Sequence, residues 1–173
     1  MNTSSRITDL HRDQSVGANS RVSDDHHAGL WSVLIRRVDA VVAAASADPG
    51  LEDRQLRDRL LDFLHGDVLA HLRTEEQILY SAARAAGLDA LVAALELDRR
   101  FLMKLVTDIE RSENVLQIAL AGRALVTLVG LLIEKEETVL IPAMQAAGLN
   151  VSDLLDGMVV AMATNYDSRF TYL

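Results

Sequence analysis

Two histidines and three carboxylates interrupt helical stripes that are otherwise apolar, and together they have the chemistry of a cation site. The stripes recur at spacings of three and four, the period of one helix face. One reads His27, Trp31, Leu34, Val38, Val41, and a second Leu64, Val68, His71, Glu75, Ile78, Ala82. A third reads Leu91, Leu95, Asp98, Leu102, Leu105, Ile109, and a fourth Leu125, Val129, Leu132, Glu136, Val139, Ala143. A buried carboxylate without a partner costs on the order of several kcal/mol. Glu75, Asp98 and Glu136 facing one core would also repel one another, and none of the four stripes contains Lys or Arg. A divalent or trivalent cation held by carboxylates and imidazoles from facing helices is the simplest compensation. His71 and Glu75, at i and i+4, point the same way toward one ion or an adjacent pair. Each residue taken alone has a plainer role. His71 fits a hydrogen-bonded core histidine, and Glu75 or Glu136 fits a solvated face with Glu76 or Glu137 turned inward. Asp98 fits an edge pair with Arg99, Arg100 or Arg123. The joint pattern is what favours a cation.

The elements that must position these residues are long helices. Helix 1 is expected from near Asp24 to Ala47, stopped by Asp48-Pro49-Gly50. Helix 2 runs from Glu52 to Ala86 and ends at Gly87. Helix 3 runs from Asp89 to about Arg111, followed by the polar turn Ser112-Glu113-Asn114, and helix 4 from Val115 to Ala147. Asn150 and Asp153 form a capping pair for a short fifth helix, Val151 to Ala163. Short connections favour antiparallel neighbours, so the fold class is all-α, an up-down-up-down four-helix bundle with a short C-terminal helix. Residues 1–22 read as a flexible polar arm, 23–149 as the bundle, and 150–173 as a short helix with a docked tail carrying Tyr166, Phe170 and Tyr172. Pro142 deprives the Thr138 carbonyl of its helical partner and predicts a kink in helix 4.

Helices 2 and 4 are related by an internal repeat. Thr74-Glu75-Glu76-Gln77-Ile78-Leu79-Tyr80-Ser81-Ala82 recurs as Lys135-Glu136-Glu137-Thr138-Val139-Leu140-Ile141-Pro142-Ala143. Both copies run on to Ala-Ala-Gly-Leu at one constant offset of 61 residues. The bundle therefore reads as two helical hairpins with approximate twofold symmetry.

Composition narrows the function. Half of the 173 residues are hydrophobic but only 4% aromatic, which suits a Leu/Val/Ala-filled helical core. The net charge of −8 disfavours nucleic acid and anionic membranes. The longest apolar stretch, Leu125 to Ile133, is too short to span a bilayer. Cys is absent, which removes disulfides and thiolate sites and fits a cytoplasmic protein. The apolar fifth helix, with Met158 and Met162, and the aromatic tail offer a surface for a homodimer.

Two segments carry a resemblance to a known family. His71-Leu72-Arg73-Thr74-Glu75-Glu76-Gln77-Ile78-Leu79-Tyr80 and Glu134-Lys135-Glu136-Glu137-Thr138-Val139-Leu140-Ile141-Pro142 resemble motifs of the hemerythrin-like, or HHE cation-binding, family, over roughly Asp25 to Gly148. The resemblance implies a non-haem di-iron centre within a four-helix bundle, with His71 as a terminal ligand and Glu75 and Glu136 as bridges. It also implies carriage or sensing of dioxygen, handling of iron or nitric oxide, or a response to oxidative stress. The chain departs from the pattern. The family's fourth-helix His falls at Leu132, its third-helix His at Asp98, and a further one near Leu102. Its first-helix His falls at Trp31, with His27 one turn earlier as a substitute. The candidate ligands are thus His27, His71, Glu75, Asp98 and Glu136, a carboxylate-rich set for iron first, with manganese or zinc as alternatives. The expected function is a mono- or binuclear non-haem iron site for dioxygen or redox sensing or oxidative chemistry. The alternative, motivated by Leu132 and Trp31, is a metal-free relative that serves as a ligand- or protein-binding module. A specialised enzyme is a third reading, but no residue names a substrate.

Overall fold

Capping side chains and glycines set the ends of the helices. The computed structural model describes residues 27–170, with side chains through residue 164. Helix α1 covers 27–47. Helix α2 is continuous over 54–85, as Arg54–Phe63, a π turn Leu64–Val68, Leu69–Glu75, a second π turn Glu76–Tyr80, and Ser81–Ala85. Helix α3 is Asp89–Glu110. Helix α4 covers 115–146, as Val115–Lys135, a π turn Glu136–Leu140 and Ile141–Ala146. Helix α5 is Val151–Phe170, longer than its apolar pattern suggests. The polar arm of residues 1–22 and Tyr172 lie outside the described residues, as do the side chains of Tyr166 and Phe170.

Asp53 Oδ1 accepts the Leu56 N–H at 2.9 Å, and Asn114 Oδ1 the Gln117 N–H at 3.1 Å, each satisfying a free donor of a first turn. Helices α2 and α4 end alike. Gly87 and Gly148 adopt φ of 82° and 84°. The following residues, Leu88 and Leu149, donate back to the carbonyls of Ala83 and Met144 at 3.0 and 3.1 Å. These are Schellman caps, and the repeated Gly-Leu sequence is their signature.

The helices form one bundle core, with α3 packed along α4 and α5 lying against α2 and the end of α4. Leu34, Val38, Leu64, Leu102, Leu125 and Leu140 are fully buried in it. Gly122 lets α1 and α4 approach closely, since a Cβ there would lie 3.2 Å from both Val38 methyls. By length and composition helix α4, Val115–Ala146, is apolar enough to cross a membrane, which corrects the expectation drawn from Leu125 to Ile133 alone. Its inward face, from Val115 through Leu132, belongs to the bundle core.

The expected stripes are displaced in three places. After Glu75 the buried residues of α2 are Leu79, Tyr80 and Ala83, not Ile78 and Ala82. After Glu136 those of α4 are Leu140 and Met144, while Val139 is 46% exposed. The cause is shared: a π turn inserts one extra residue per turn and advances the inward face by one position. On α3 the buried stripe is Val92, Leu95, Arg99, Leu102, Val106, Ile109, so Arg99 points inward where Asp98 was expected. On α1, Trp31 is 40% exposed and not core. Its ring lies beside Gly130, where a Cβ would come within 3.3 Å, and its indole N–H donates to the Val126 carbonyl at 3.4 Å. Pro142 lies one residue beyond the π turn of α4, after Ile141. The matching turn in α2 leads into Ser81 and Ala82, so proline is not what creates the wide turn.

The space around Gly87 and Gly148 is open to 4 Å, so an alanine there meets no clash and pays only for its backbone conformation. Gly87→Ala and Gly148→Ala are each expected to lower stability by about 1 kcal/mol, read from urea unfolding midpoints.

Candidate metal centre

The short helical segment Leu69–Glu75, with a π turn on each side, projects two of the candidate ligands. π turns widen the helix and re-aim the side chains beside them, and they recur at functional sites. His71 and Glu75 lie one turn apart, 5% and 1% exposed, and His27 of α1 joins them at 4%. The three donor atoms sit on one small triangle. His71 Nε2 is 2.8 Å and His27 Nε2 3.3 Å from Glu75 Oε1, and the two imidazole nitrogens are 3.1 Å apart. Among the described residues these three form a group whose ligand atoms all lie within 4.8 Å of one another.

That triangle fits a metal ion. With metal–ligand bonds of about 2.1 Å, neighbouring donors in octahedral or tetrahedral coordination stand about 3.0–3.4 Å apart. The donors are of the right kind as well, two neutral-capable imidazoles and one carboxylate, and their outer atoms are engaged. His27 Nδ1 is 2.9 Å from Glu137 Oε1, and His71 Nδ1 is 3.3 Å from Met162 Sδ on α5. Partners of this type hold an imidazole in one orientation. Without a cation, two imidazole nitrogens at 3.1 Å require a proton between them, and protons hold the triangle together.

The other side of the cluster is closed by α3. Arg99 Nη2 donates to Glu75 Oε2 at 2.5 Å and lies 3.6 Å from Glu136 Oε1. Arg99 Nη1 donates to the Leu72 carbonyl at 2.6 Å, and the guanidinium lies over the Tyr80 ring at 4.1 Å. The Tyr80 hydroxyl donates to Glu136 Oε1 at 2.5 Å. Burial alone would raise the carboxyl of Glu75, but His71, His27 and Arg99 outweigh it and hold it well below the usual carboxylate range. Glu136 goes the other way: burial and the charge on Glu75 push it well above that range, and Arg99, Tyr80 and His27 offset this only in part. Burial and the adjacent Glu136 raise the Tyr80 hydroxyl, which stays a neutral donor. Burial opposes a charge on His27, yet Glu75 and Glu137 prevail and push it up to about 9.

Of the five residues singled out from the sequence, the structure brings His27, His71 and Glu75 onto one point. Glu136, 2% exposed, lies beside them on Tyr80 and Arg99. Asp98 is apart, paired with Lys135 Nζ at 2.7 Å. Arg99 is the principal residue missed: from Leu95 to Leu102, positions 98 and 99 satisfy the three-four spacing equally, and only packing decides between them. Tyr80 was hidden by the same π turn that displaced Ile78. Glu137 and Met162 carry no pattern that marks them as partners of the histidines. Leu132, at the position of the expected fourth-helix histidine, is 1% exposed and apolar.

Residues 21–144 match the family model of the hemerythrin HHE cation binding domain. Searches of curated proteins and of solved structures give no match.

The raised His27 makes the metal-free protein pH-dependent. The folded chain keeps a proton that the unfolded chain releases above about pH 6.5, so the stabilisation is complete below that pH and is lost as pH rises toward about 9. The expected loss between pH 6 and 9.5 is on the order of 2 kcal/mol. Urea unfolding in chelator at both pH values checks it, and His27→Gln should remove that pH-dependent increment.

Proposed function

The chain belongs to the hemerythrin HHE cation-binding family, and on that premise we propose that His27, His71 and Glu75 hold non-haem iron for dioxygen or redox sensing or oxidative chemistry. The observation that carries this reading is the buried triangle of two imidazole nitrogens and one carboxylate oxygen, spaced 2.8–3.3 Å. Two histidines and one carboxylate suit ferrous iron and leave coordination positions for a small molecule such as dioxygen. Manganese and zinc compete for the same donors. Bound iron would supply one-electron chemistry and affinity for small oxidants.

The chain's own residues have definable roles in this reading. Glu137 accepts from His27 Nδ1–H and orients that ring, so that Nε2 faces the shared point. Arg99 fixes Glu75 through Oε2 and leaves Oε1 to the cation side. Binding a cation expels the proton between the imidazoles, so affinity should rise with pH. The short connections at 48–53, 86–88 and 111–114 support an up-down-up-down order of the first four helices, which sets ligands from α1 and α2 facing each other. The absence of Cys suits a cytosolic setting.

A second reading rests on Arg99 and Tyr80, which already serve the buried carboxylates as partners. In it the bundle has dropped its metal and acts as a binding module. Melting temperature in the presence of Fe(II), without oxygen, or of Mn(II) separates the two. At a hundredfold excess over Kd a true site gains about 2.7 kcal/mol, a rise of roughly 5–10 °C for a chain of this size. His71→Ala and Glu75→Ala should abolish the rise and Asp98→Asn should retain it. No rise in the native protein selects the second reading.

A further inference from the structure

Glu75 turns its two oxygens toward two different sets of partners. Oε1 faces the imidazoles of His27 and His71, whereas Oε2 accepts from Arg99. Glu136 stands on the Arg99 side, with Oε1 at 3.6 Å from Nη2. A carboxylate with cation ligands gathered at one oxygen and a fixed cation on the other, and a second carboxylate close by, is the arrangement of two adjacent cation positions. We propose that the Arg99 guanidinium permanently occupies the second of two cation positions, so that the centre takes one metal ion per chain. The inference rests on His27, His71 and Glu75 being the site of the first.

Three features make Arg99 a resident and not a visitor. It is anchored at several points besides Glu75: the Leu72 carbonyl at 2.6 Å, the Tyr80 ring at 4.1 Å, and a residue exposure of only 8% between buried Leu95 and Leu102. Its surroundings do not offer a metal a comparable set of donors. Asp98 is engaged by Lys135, Leu132 is apolar and buried, and Glu136 lies outside the group of donors that closes on one point among the described residues. Its charge is also fixed, because a guanidinium does not give up its proton in a protein. An incoming ion would have to expel a buried, hydrogen-bonded cation, and the carboxylates would gain little from the exchange.

This arrangement has a consequence for function. In a centre of two metal ions, removing both leaves like charges facing each other in a dry core. Here the guanidinium holds Glu75 through Oε2 whether or not the histidine side is occupied, so metal can come and go without the bundle opening. That property suits a sensor that must survive in both states.

The test loads metal-free protein with Mn(II) and removes the excess. Metal per chain is then counted, the electron paramagnetic resonance spectrum recorded, and melting followed. The native chain should hold one Mn(II) with the six-line signal of an isolated ion. Two ions per chain, or an exchange-coupled signal, overturns the proposal while leaving the first cation site standing. No bound ion removes the first site and the proposal with it. Arg99→Gln should lower the metal-free melting temperature by about 10 °C, and Arg99→Lys should recover at least half of that loss. In Arg99→Gln, Mn(II) should raise melting further than it does in the native chain, because Glu75 Oε2 has lost its resident cation. An Arg99→Gln protein with native melting and a native response to Mn(II) overturns the proposal. If Arg99→Gln does not fold, adding Glu136→Gln should restore folding by removing the second carboxylate, and failure to do so also overturns it.

Discussion

A single carboxylate, that of Glu75, holds the interior of this protein to its purpose. It is 1% exposed, and an ion so far from water survives only if its surroundings are positive. The fold meets that demand from three helices at once, with His27 on α1, His71 on α2 itself and Arg99 on α3. The same contacts that make the charge tolerable therefore also fasten the helices together. Removing any one partner leaves the rest of the cluster with a charge it cannot dissipate. A cation placed on the imidazole side would replace protons as the positive component there and leave the architecture as it is.

The helices reach this arrangement through local geometry that is not regular α-helix. Each repeat copy places a π turn at its Glu-Glu pair, at Glu76–Tyr80 in α2 and at Glu136–Leu140 in α4. The wide turn keeps one Glu inward and carries the next apolar residues one position further around the helix. In α2 it also brings Tyr80 under Arg99 and within reach of Glu136. The quasi-symmetry thus extends beyond sequence into backbone conformation, down to the paired left-handed glycines that close both helices. It fails where the chemistry differs: both carboxylates lie near the Arg99 guanidinium, but Glu75 also meets two histidines and Glu136 a tyrosine hydroxyl. The two copies supply the same carboxylate to unequal surroundings, which drive one below the usual carboxylate range and the other above it.

The all-helical fold was legible in the sequence because its determinants are local. Periodic apolar residues, Asp53 and Asn114 as caps, and Gly87 and Gly148 as terminators act within a few residues of themselves. His71 and Glu75 were legible for the same reason, since one turn of helix places them on one face whatever the rest of the chain does. The family match over residues 21–144 and the repeat between α2 and α4 follow from the same stretches of sequence.

What only the tertiary structure decided is which neighbour of an ambiguous pair turns inward. Asp98 and Arg99 fit the helical period of α3 equally well, and the choice fell to Arg99 because the carboxylates of two other helices await it there. Asp98 was free to take Lys135 at the bundle edge. Trp31 likewise fitted the stripe of α1, but its bulk found room against the bare backbone at Gly130 of α4, not in the core. Sequence periodicity records the angle of a residue about its own helix to within one position. Charge compensation is settled between helices, and there one position separates an acid from its counter-ion.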